Sequence, residues 1–321
     1  MILVTGGAGF IGSNLHAALV RRGHETVIAD RLGDGMKWRN LAKHPPALII
    51  PPAEIDAFLD SRPPLEMVYH LGAVSSTTAT DGDAVWEANV ELSRRIWRWC
   101  AHHAVRLVYA SSSSVYGIKN DSNVTEDLPL EPLTDYSKYK AMCEEVLDQE
   151  REPGFVAVTL RPATVCGYAP RLRLDLTVNI LTSHAINNGR ITVFGGEQLR
   201  PNLHVEDMTD LYIQLLEAPD EAINGKTWNA GYHNLKVREI ANMVRDEVGK
   251  NVDIVVTPSD DHRSYHVSSE KIKRDLGFSA RRTVSDAIVD LAEAFNAGKV
   301  PNAMTDDRYY NIKRMQALKL R

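Results

Sequence analysis

The sequence has little that would tie it to a membrane, a nucleic acid or an oxidising compartment. It has only three cysteines, Cys100, Cys143 and Cys166, and they are scattered, so no disulfide framework is indicated and a reducing compartment is expected. No apolar run approaches the length that spans a bilayer. The formal net charge of -5 argues against a nucleic-acid partner and against an anionic membrane surface. We therefore expect a cytoplasmic protein with no leader ahead of Met1.

The first residues carry the strongest motif of the chain. An apolar run from Ile2 to Val4 leads into three glycines, Gly6, Gly9 and Gly12, and an amphipathic helix pattern follows. Glycines let the backbone approach a phosphate closely, and the free N–H groups at a helix N-terminus point at it. Gly12 would also let the helix lie close to the strand. The stretch predicts a phosphate site.

A second predicted strand ends in an acidic residue, Asp30, about twenty residues after the glycines. A dinucleotide-binding fold places at this point the carboxylate that binds the adenosine ribose. The dinucleotide interpretation is therefore favoured over a merely tight glycine turn. Arg31 follows at once, and its guanidinium could meet a 2′-phosphate. The sequence predicts NAD and leaves NADP as an open alternative.

Strand and helix patterns alternate through the first half of the chain, and repeats and low-complexity linkers are lacking. Further strands are predicted near 47–50, 67–71, 105–110 and 156–160. This alternation predicts an α/β fold with a Rossmann-type doubly wound parallel sheet. Residues 1–167 would form the dinucleotide-binding domain, with later segments at about 203–235 returning to the sheet. Residues 168–321 would mainly form a smaller C-terminal α/β substrate-binding domain.

Tyr136 and Lys140 are four residues apart on a predicted helix, so they share one face. A free tyrosine has a pKa near ~10, and a nearby ammonium together with a nicotinamide cation could lower it. The phenolate could then take a hydroxyl proton while a hydride leaves the same carbon. A serine at the end of the fifth strand would orient that hydroxyl. A solvated helix face is the alternative, but the pair follows a dinucleotide half-fold and the serine-rich run Ser111–Ser114 in the right order.

Together these motifs resemble the extended short-chain dehydrogenases/reductases of the nucleotide-sugar epimerase/dehydratase family. The similarity spans most of the chain and is carried by Gly6–Gly12, Asp30, His70–Ala73, Asn89-Val90, Ser111–Gly117, Tyr136 with Lys140, Arg161-Pro162 and Arg200–Asp207. Asp30–Leu41 and Gly72–Asp81 are locally similar to the ADP-heptose 6-epimerases, a likeness that fades after Gly167.

The resemblance implies a cofactor role for each matching position. Phe10 and Ile11 would cover the pyrophosphate, Leu71 and Ala73 would flank the cofactor, and Asn89 would brace the strand ends. The expected cofactor-binding set is Gly6, Gly9, Phe10, Ile11, Gly12, Asp30, Arg31, Leu71, Ala73, Asn89, Tyr136, Lys140 and Pro162.

The resemblance also implies the catalytic and substrate residues. Ser112 matches the catalytic serine or threonine, Tyr136 the acid/base and Lys140 the lysine on the cofactor ribose. Arg200 and Arg263 match a pair of arginines that grip the substrate diphosphate, whose many acceptor oxygens suit guanidinium groups. The expected substrate-binding set is Ser75, Ser76, Thr77, Ser113, Thr164, Arg173, Arg200 and Arg263. For Arg173 and Arg263 a surface arginine is the alternative.

Departures from the family pattern bear on the reaction. Dehydratases of the family carry Asp-Glu after the catalytic threonine, whereas Ser113 and Ser114 stand here. Elimination of water then lacks its proton donor and acceptor, which favours epimerisation or simple redox. Thr164 replaces the usual asparagine of the substrate loop, and Ile50-Pro51 replaces the acidic residue near the adenine.

The sequence thus predicts a nucleotide-sugar epimerase that works by transient hydride transfer through a keto-sugar. A nucleotide-sugar dehydrogenase, reductase or dehydratase is the alternative within enzymes, and a non-catalytic NAD(P)-binding regulatory protein is the alternative outside them. The resemblance implies a homodimer through the helices that contain Trp86–Cys100 and Tyr136–Leu147. No metal site is expected, since His262 and His266 have no obvious third ligand.

Overall fold

The protein is described by a computed structural model that covers residues 1–33, 36–75, 81–119, 123–249, 251–259, 264, 266–311 and 313. Four residues named above, Ser76, Thr77, His262 and Arg263, lie outside the described residues.

Strands and helices alternate regularly through the first half of the chain. Within the described residues the strands are β1 (Ile2–Thr5), β2 (Thr26–Ala29), β3 (Leu48–Ile50), β4 (Met67–His70), β5 (Arg106–Ala110), β6 (Ala157–Pro162), β7 (Thr164–Cys166), β8 (Arg190–Phe194), β9 (Leu199–His204), β10 (Thr227–Ala230), β11 (His233–Lys236) and β12 (Asp253–Thr257). The α-helices there are α1 (Phe10–Arg21), α2 (Ile55–Asp60), α3 (Gly82–Trp86), α4 (Leu92–His102), α5 (Asp135–Gln149), α6 (Thr177–Asn188), α7 (Val205–Glu217), α8 (Asp220–Ile223), α9 (Val237–Val248), α10 (Glu270–Leu276) and α11 (Val284–Asn296).

Seven strands form one parallel sheet in the order β10-β6-β5-β4-β1-β2-β3. Every residue of β1, β2 and β4 is buried, as expected for a sheet covered by helices on both faces. The predicted Rossmann-type α/β fold is confirmed. The strand order reverses beside β1, and in such sheets ligands bind in the crevice at the carboxyl ends of the strands next to the reversal.

The second half of the chain builds two smaller sheets. β11, β9 and β7 form one of them, and β12 pairs in parallel with β8 in the other. Helices α6, α9 and α11 pack over β8 around a separate apolar cluster that includes Val178, Ile191, Ile240 and Ile288. β10 is part of the large sheet, where it pairs with β6. The domain division at residue 167 stays a prediction.

The helix expected after β4 is continuous but not uniform. α3 and α4 are joined by a π-helical segment, Glu87–Glu91, in which Asn89 and Val90 are buried. An extra residue in a helical turn rotates the following side chains, and π-segments are frequent at functional sites. The segment lies beside the loop that follows β4, as the contacts of Asn89 show below.

Across the described residues, no helix combines the length and the apolar character needed to cross a bilayer.

Candidate active site

A cavity of about 1190 Å³ opens at the carboxyl ends of β1, β2, β4, β5 and β6. Most residues expected at the site line it together. They are Gly6, Gly9, Phe10, Ile11, Gly12, Asp30, Arg31, Leu71, Ala73, Ser75, Ser112, Ser113, Tyr136, Lys140, Pro162, Thr164, Arg173 and Arg200.

The glycine turn between β1 and α1 has no room for side chains. Gly6 has φ of +68°, in the left-handed region that favours glycine. A Cβ on Gly12 would lie 2.3 Å from the carbonyl oxygen of Gly6, so only glycine lets α1 approach the turn this closely. α1 has no side-chain cap at Gly9 and no acidic residue in its first turn. The helix start therefore fits the pyrophosphate of a dinucleotide.

Asp30 is held at the end of β2 by two contacts. Its Oδ2 accepts a 2.9 Å hydrogen bond from the N–H of Ala8, and its Oδ1 lies 2.5 Å from Nζ of Lys37. Lys37 also donates to the carbonyl of Arg31. The carboxylate expected to bind the ribose is thus paired with a cation, and a second cation follows it. The sequence predicted Asp30 and Arg31 at this site but not Lys37, because Lys37 lies further along the loop that follows β2.

A buried chain of hydrogen bonds fixes the loop after β4. The N–H of Gly72 donates to Oγ1 of Thr5 at 2.9 Å, and the hydroxyl of Ser93 donates to the carbonyl of Asn89 at 2.7 Å. His70 lies between Thr5 and Ser93, at 2.7 and 2.8 Å, and burial lowers its pKa to about 3. His70 is therefore neutral, with its proton on Nε2 donated to Ser93 and Nδ1 accepting from Thr5.

Asn89 acts on the same loop from the π-helical segment. Its side chain accepts from the N–H of Val74 at 2.7 Å and donates to the carbonyl of Val74 at 3.0 Å. It is not among the described residues that line the cavity. Asn89 therefore positions the loop that flanks the cavity, which fits the bracing role expected for it. It acts through this loop and does not itself line the cavity.

Ser112 and Tyr136 meet at the start of α5. Thr134 and Ser137 form a reciprocal capping box that begins α5 one residue before Tyr136. Ser112 caps a 3₁₀ turn, Ser113–Tyr116, and its Oγ accepts from Ser114 Oγ at 2.9 Å. Both side chains line the cavity, and the hydroxyl of Ser112 acts on the phenol of Tyr136 so as to favour its ionised form. The serine and the tyrosine expected to share the reacting hydroxyl are thus neighbours.

The pKa of Tyr136 is raised, because burial penalises the phenolate. The positive charge of Arg173 and the hydroxyl of Ser112 act in the opposite direction. From the sequence we expected a lowered pKa with the ammonium of Lys140 as one cause, but that ammonium is not among the groups that shift the pKa of Tyr136. Arg173, from the loop after β7, is the cation that opposes burial here, and a nicotinamide cation would act in the same direction.

Lys140 is buried one helical turn after Tyr136. Its Nζ donates a 2.6 Å hydrogen bond to the carbonyl of Ala110 and lies 5.9 Å from the centre of the Tyr136 ring. Burial lowers the pKa of Lys140 to about 8. Nζ is thereby fixed at the strand end from which Ser112 follows.

A buried ion pair supports this constellation from behind. Arg161 donates to Glu144 at 2.6 Å and to the hydroxyl of Tyr116 at 2.7 Å. Glu144 also accepts from the hydroxyl of Ser111, next to Ser112. The hydroxyl of Tyr116 donates in turn to Asn229 on β10 at 2.7 Å. The network joins α5, β6 and β10 beneath the serine-rich strand end.

The described residues expected to contact substrate, Ser75, Ser113, Thr164, Arg173 and Arg200, line the same cavity. Arg173 makes a two-point ion pair with Asp175, at 3.0 and 3.2 Å. Arg200 lies on β9 and donates to the carbonyl of Leu199. Thr164 lies at the start of β7 and Ser113 in the 3₁₀ turn. Sequence reasoning missed Lys37, Arg308 and Asn311, which also line the cavity and come from distant segments.

A parallel sheet with a glycine turn, a strand-end acid and a Ser–Tyr–Lys constellation defines a nicotinamide-dependent enzyme of the short-chain dehydrogenase/reductase type. Residues 2–231 match the NAD dependent epimerase/dehydratase family. An ADP-L-glycero-D-manno-heptose-6-epimerase of Alkalilimnicola ehrlichii is 34% identical over 240 residues, which are 68% of this chain and 73% of that protein. The chain therefore belongs to the NAD-dependent epimerase/dehydratase family, and its prediction as an NAD-dependent enzyme is confirmed.

Solved structures agree with this assignment. The UDP-glucuronic acid 4-epimerase of Bacillus cereus, in complex with UDP-glucuronic acid and NAD, is 25% identical with a TM-score of 0.79, covering 92% of this chain and 99% of that one. The UDP-glucose 4-epimerase of Thermotoga maritima, with UDP-glucose, is 24% identical with a TM-score of 0.82, covering 93% and 99%. The second likeness supports the fold.

Proposed function

We propose that the protein is a nucleotide-sugar epimerase that works by transient oxidation of one sugar carbon and rereduction of a keto-sugar. The observation that carries the proposal is the grouping of Ser112, Tyr136 and buried Lys140 around one cavity. The cavity offers Ser113 and Ser114 where a dehydratase of the family would place its acidic pair. The side chains needed for reversible redox are present, and those needed to eliminate water are replaced.

The glycine cradle, Asp30 and Lys140 fit a nicotinamide dinucleotide. The turn would hold the pyrophosphate at the start of α1, Asp30 would bind the adenosine ribose, and Lys140 the nicotinamide ribose. NAD, when bound, supplies reversible hydride acceptance. Lys37 and Arg31 beside Asp30 support the use of NADP as well, because a 2′-phosphate would meet two cations there.

Tyr136 is proposed to take the proton of the sugar hydroxyl and to return it after inversion. Ser112 would orient that hydroxyl, and its own hydroxyl favours the phenolate of Tyr136. Arg173 opposes the penalty that burial places on the phenolate. General acid–base catalysis of this kind contributes about 10²–10⁴-fold.

The substrate is proposed to be a nucleoside-diphosphate sugar. Arg200 on β9 lines the cavity and would bind the diphosphate, while Ser75, Ser113, Thr164 and Arg173 would surround the sugar. Ser76, Thr77 and Arg263 stay predictions. ADP-heptose is a natural first candidate, because the sequence relative is named for it, and UDP-glucuronic acid follows from the solved neighbour.

The homodimer stays a proposal, through the helices that contain Trp86–Cys100 and Tyr136–Leu147. Trp86 and Met142 on these helices are large apolar side chains that are 39% and 37% exposed. Sedimentation of the wild type and of Met142→Glu tests the interface. We expect a dimer for the wild type and a monomer for the variant, and a monomeric wild type would contradict the proposal.

The three cysteines are free and buried, which supports a reducing, cytoplasmic location.

The reaction is tested by incubating the protein with ADP-heptose, UDP-glucose, UDP-glucuronic acid and UDP-N-acetylglucosamine in heavy water. Mass spectrometry and NMR then follow the products. Inversion without deuterium uptake indicates epimerisation at the oxidised carbon, and uptake indicates enolisation beside it. Steady release of reduced cofactor would favour a dehydrogenase, and loss of water would overturn the argument from Ser113 and Ser114.

A further inference from the structure

The chain returns to the active site at its C-terminal end. After α11, residues Gly298, Lys299, Pro301, Arg308, Tyr309 and Asn311 all line the cavity. Terminal segments are usually poorly ordered unless they are tied down. This one is tied down by aromatic side chains, because Tyr309 and Tyr310 are only 6% and 8% exposed and belong to the main apolar core.

Backbone and hydroxyl contacts fix the path of this segment. The hydroxyl of Tyr310 donates to the carbonyl of Ala303 at 3.0 Å. The N–H of Leu174, in the loop after β7, donates to the carbonyl of Tyr309 at 2.8 Å. The segment Asp307–Asn311, here called the C-terminal strap, therefore lies directly against the loop that carries Arg173.

Asn311 joins the two sides of the cavity mouth. Its Nδ2 donates to Oγ of Ser75 at 3.2 Å, on the loop after β4. Its Oδ1 accepts from Arg171 at 3.2 Å, and its N–H donates to Asp175 at 3.0 Å, both in the loop after β7. Asn311 thus connects the loop after β4 to the loop after β7, and it does so from a position 236 residues after Ser75.

The contact with Asp175 extends towards the reacting atoms. The same carboxylate that accepts from the N–H of Asn311 holds the guanidinium of Arg173 at two points. Arg173 is the cation whose charge acts on Tyr136. Asn311 is therefore linked to the acid/base residue through Asp175 and Arg173, and to the flanking loop through Ser75.

We propose that the C-terminal strap walls the sugar end of the cavity and that Asn311 is a positioning residue, whose side chain holds Ser75 and Arg171 around the substrate's sugar. Its backbone N–H holds Asp175, and through it Arg173, and this contact is kept when the side chain is replaced by alanine. This inference rests on the proposed function, because it assigns the walled end to the sugar of a nucleoside-diphosphate sugar. Arg200 lies on β9, whereas the contacts of Asn311 are to the loops after β4 and β7, so we expect the diphosphate end to be less sensitive to Asn311 than the sugar end.

Asn311→Ala is the variant that tests the proposal, with Asn296→Ala as its matched control. Asn296 is an exposed asparagine at the end of α11 and outside the cavity lining. A second control removes residues 314–321 and keeps the whole strap. Amide hydrogen exchange of 71–75 and 171–175 should accelerate at least fivefold in Asn311→Ala and stay unchanged in both controls.

Binding and turnover then separate a positioning role from a merely structural one. In Asn311→Ala we expect KM for the nucleotide sugar turned over by the wild type to rise about tenfold. Calorimetric affinities for UDP and ADP alone should change less than twofold. Unchanged exchange in both loops, or equal losses for the nucleoside diphosphates and the nucleotide sugar, would overturn the proposal.

The two hypotheses fail differently. If the wild type turned over none of the nucleotide sugars tested, the proposed function would lose its support, whereas the exchange measurement would still decide whether Asn311 holds the two loops together. Accelerated exchange in only one of the loops 71–75 and 171–175 would also overturn the proposal. A side chain that holds both loops should loosen both when it is removed.

Discussion

The ammonium of Lys140 donates a 2.6 Å hydrogen bond to the carbonyl of Ala110, the last residue of the strand that leads to Ser112. The lysine that we propose to be catalytic is thereby fixed to the strand end that leads to Ser112. The arrangement places a cation in a buried position, where its ordinary pKa of 10.5 falls to about 8. The site therefore carries a stability penalty that can be measured.

Replacing this lysine should stabilise the fold while abolishing turnover. Below pH 8 both folded and unfolded chains hold the lysine proton, and the burial penalty is present in full. Lys140→Met should then raise the free energy of unfolding by about 1–3 kcal/mol. Between pH 8 and 10.5 the folded wild type loses its proton first, so its stability relative to the variant rises and the difference shrinks.

Denaturant unfolding at pH 7 and pH 10, without added cofactor, checks this expectation. Lys138→Met is the control, because Lys138 is exposed on the same helix beside Asp135. It should change stability little and show no such pH dependence. A Lys140→Met variant that is less stable than wild type at pH 7 would contradict the argument.

Tyr136→Phe should lower turnover by about 10²–10⁴-fold, because it removes the group that exchanges the hydroxyl proton. The affinity for NAD should change less than twofold. Tyr139→Phe, on the same helix, is the control and should retain activity. Steady-state kinetics and titration with NAD give both readouts. Unchanged turnover in Tyr136→Phe would favour a non-catalytic, cofactor-binding role.

Gly12→Ala should weaken NAD binding at least tenfold, since its Cβ would lie 2.3 Å from the carbonyl oxygen of Gly6 and must push α1 away from the turn. Gly82→Ala is the matched control, because a Cβ there meets nothing within 4 Å. Fluorescence titration with NADH and thermal unfolding separate the loss of binding from the loss of fold. A folded Gly12→Ala variant with wild-type affinity for NADH would contradict the proposal that the glycine turn holds the pyrophosphate.

Lys37→Ala should reduce affinity for NADP more than tenfold and leave affinity for NAD within threefold. The ammonium of Lys37 lies beside Asp30, where a 2′-phosphate would need a cation, whereas a ribose hydroxyl needs the carboxylate. Lys43→Ala, an exposed lysine further along the same loop, is the control. Equal losses for the two cofactors would show that Lys37 has no part in distinguishing them.

Arg161→Met should destabilise the protein by about 3–5 kcal/mol, because it leaves Glu144 as an unpaired buried charge. Arg98→Ala breaks an ion pair with Glu150 in which Arg98 is 63% exposed, and such pairs contribute about 0–1 kcal/mol. Denaturant midpoints of the two variants should differ accordingly. Similar midpoints would mean that the buried network is not what supports the serine-rich strand end.

The sequence predicted the parts of the site that are local in the chain. The glycine turn, Asp30, and the spacing of Tyr136 and Lys140 each lie within one strand–turn–helix unit, so the pattern itself places them. The large sheet could be predicted for the same reason, because its strands are buried on both faces and read as apolar runs.

What the sequence did not reveal depends on contacts between distant segments. β7, β9 and β11 are short, and each pairs with a strand about thirty to forty residues away, so no local pattern identifies them. Asn311 acquires its role only when the chain end meets Ser75. The π-helical segment at Asn89 interrupts a helix whose apolar periodicity looks continuous. The substrate-anchor role of Arg173 stays a prediction, and its position in the sequence could not show that its charge acts on the pKa of Tyr136.

β10 lies far along the sequence from β6, the strand with which it pairs, and this separation matters while the chain is being synthesised. β6 is complete at Pro162, but its outer edge pairs with Thr227–Ala230, which follows more than sixty residues later. A nascent or truncated chain that stops before β10 presents an open parallel edge and leaves Tyr116 without Asn229. Fragments ending near residue 220 should therefore aggregate, whereas the sheet can close once residue 230 has been made.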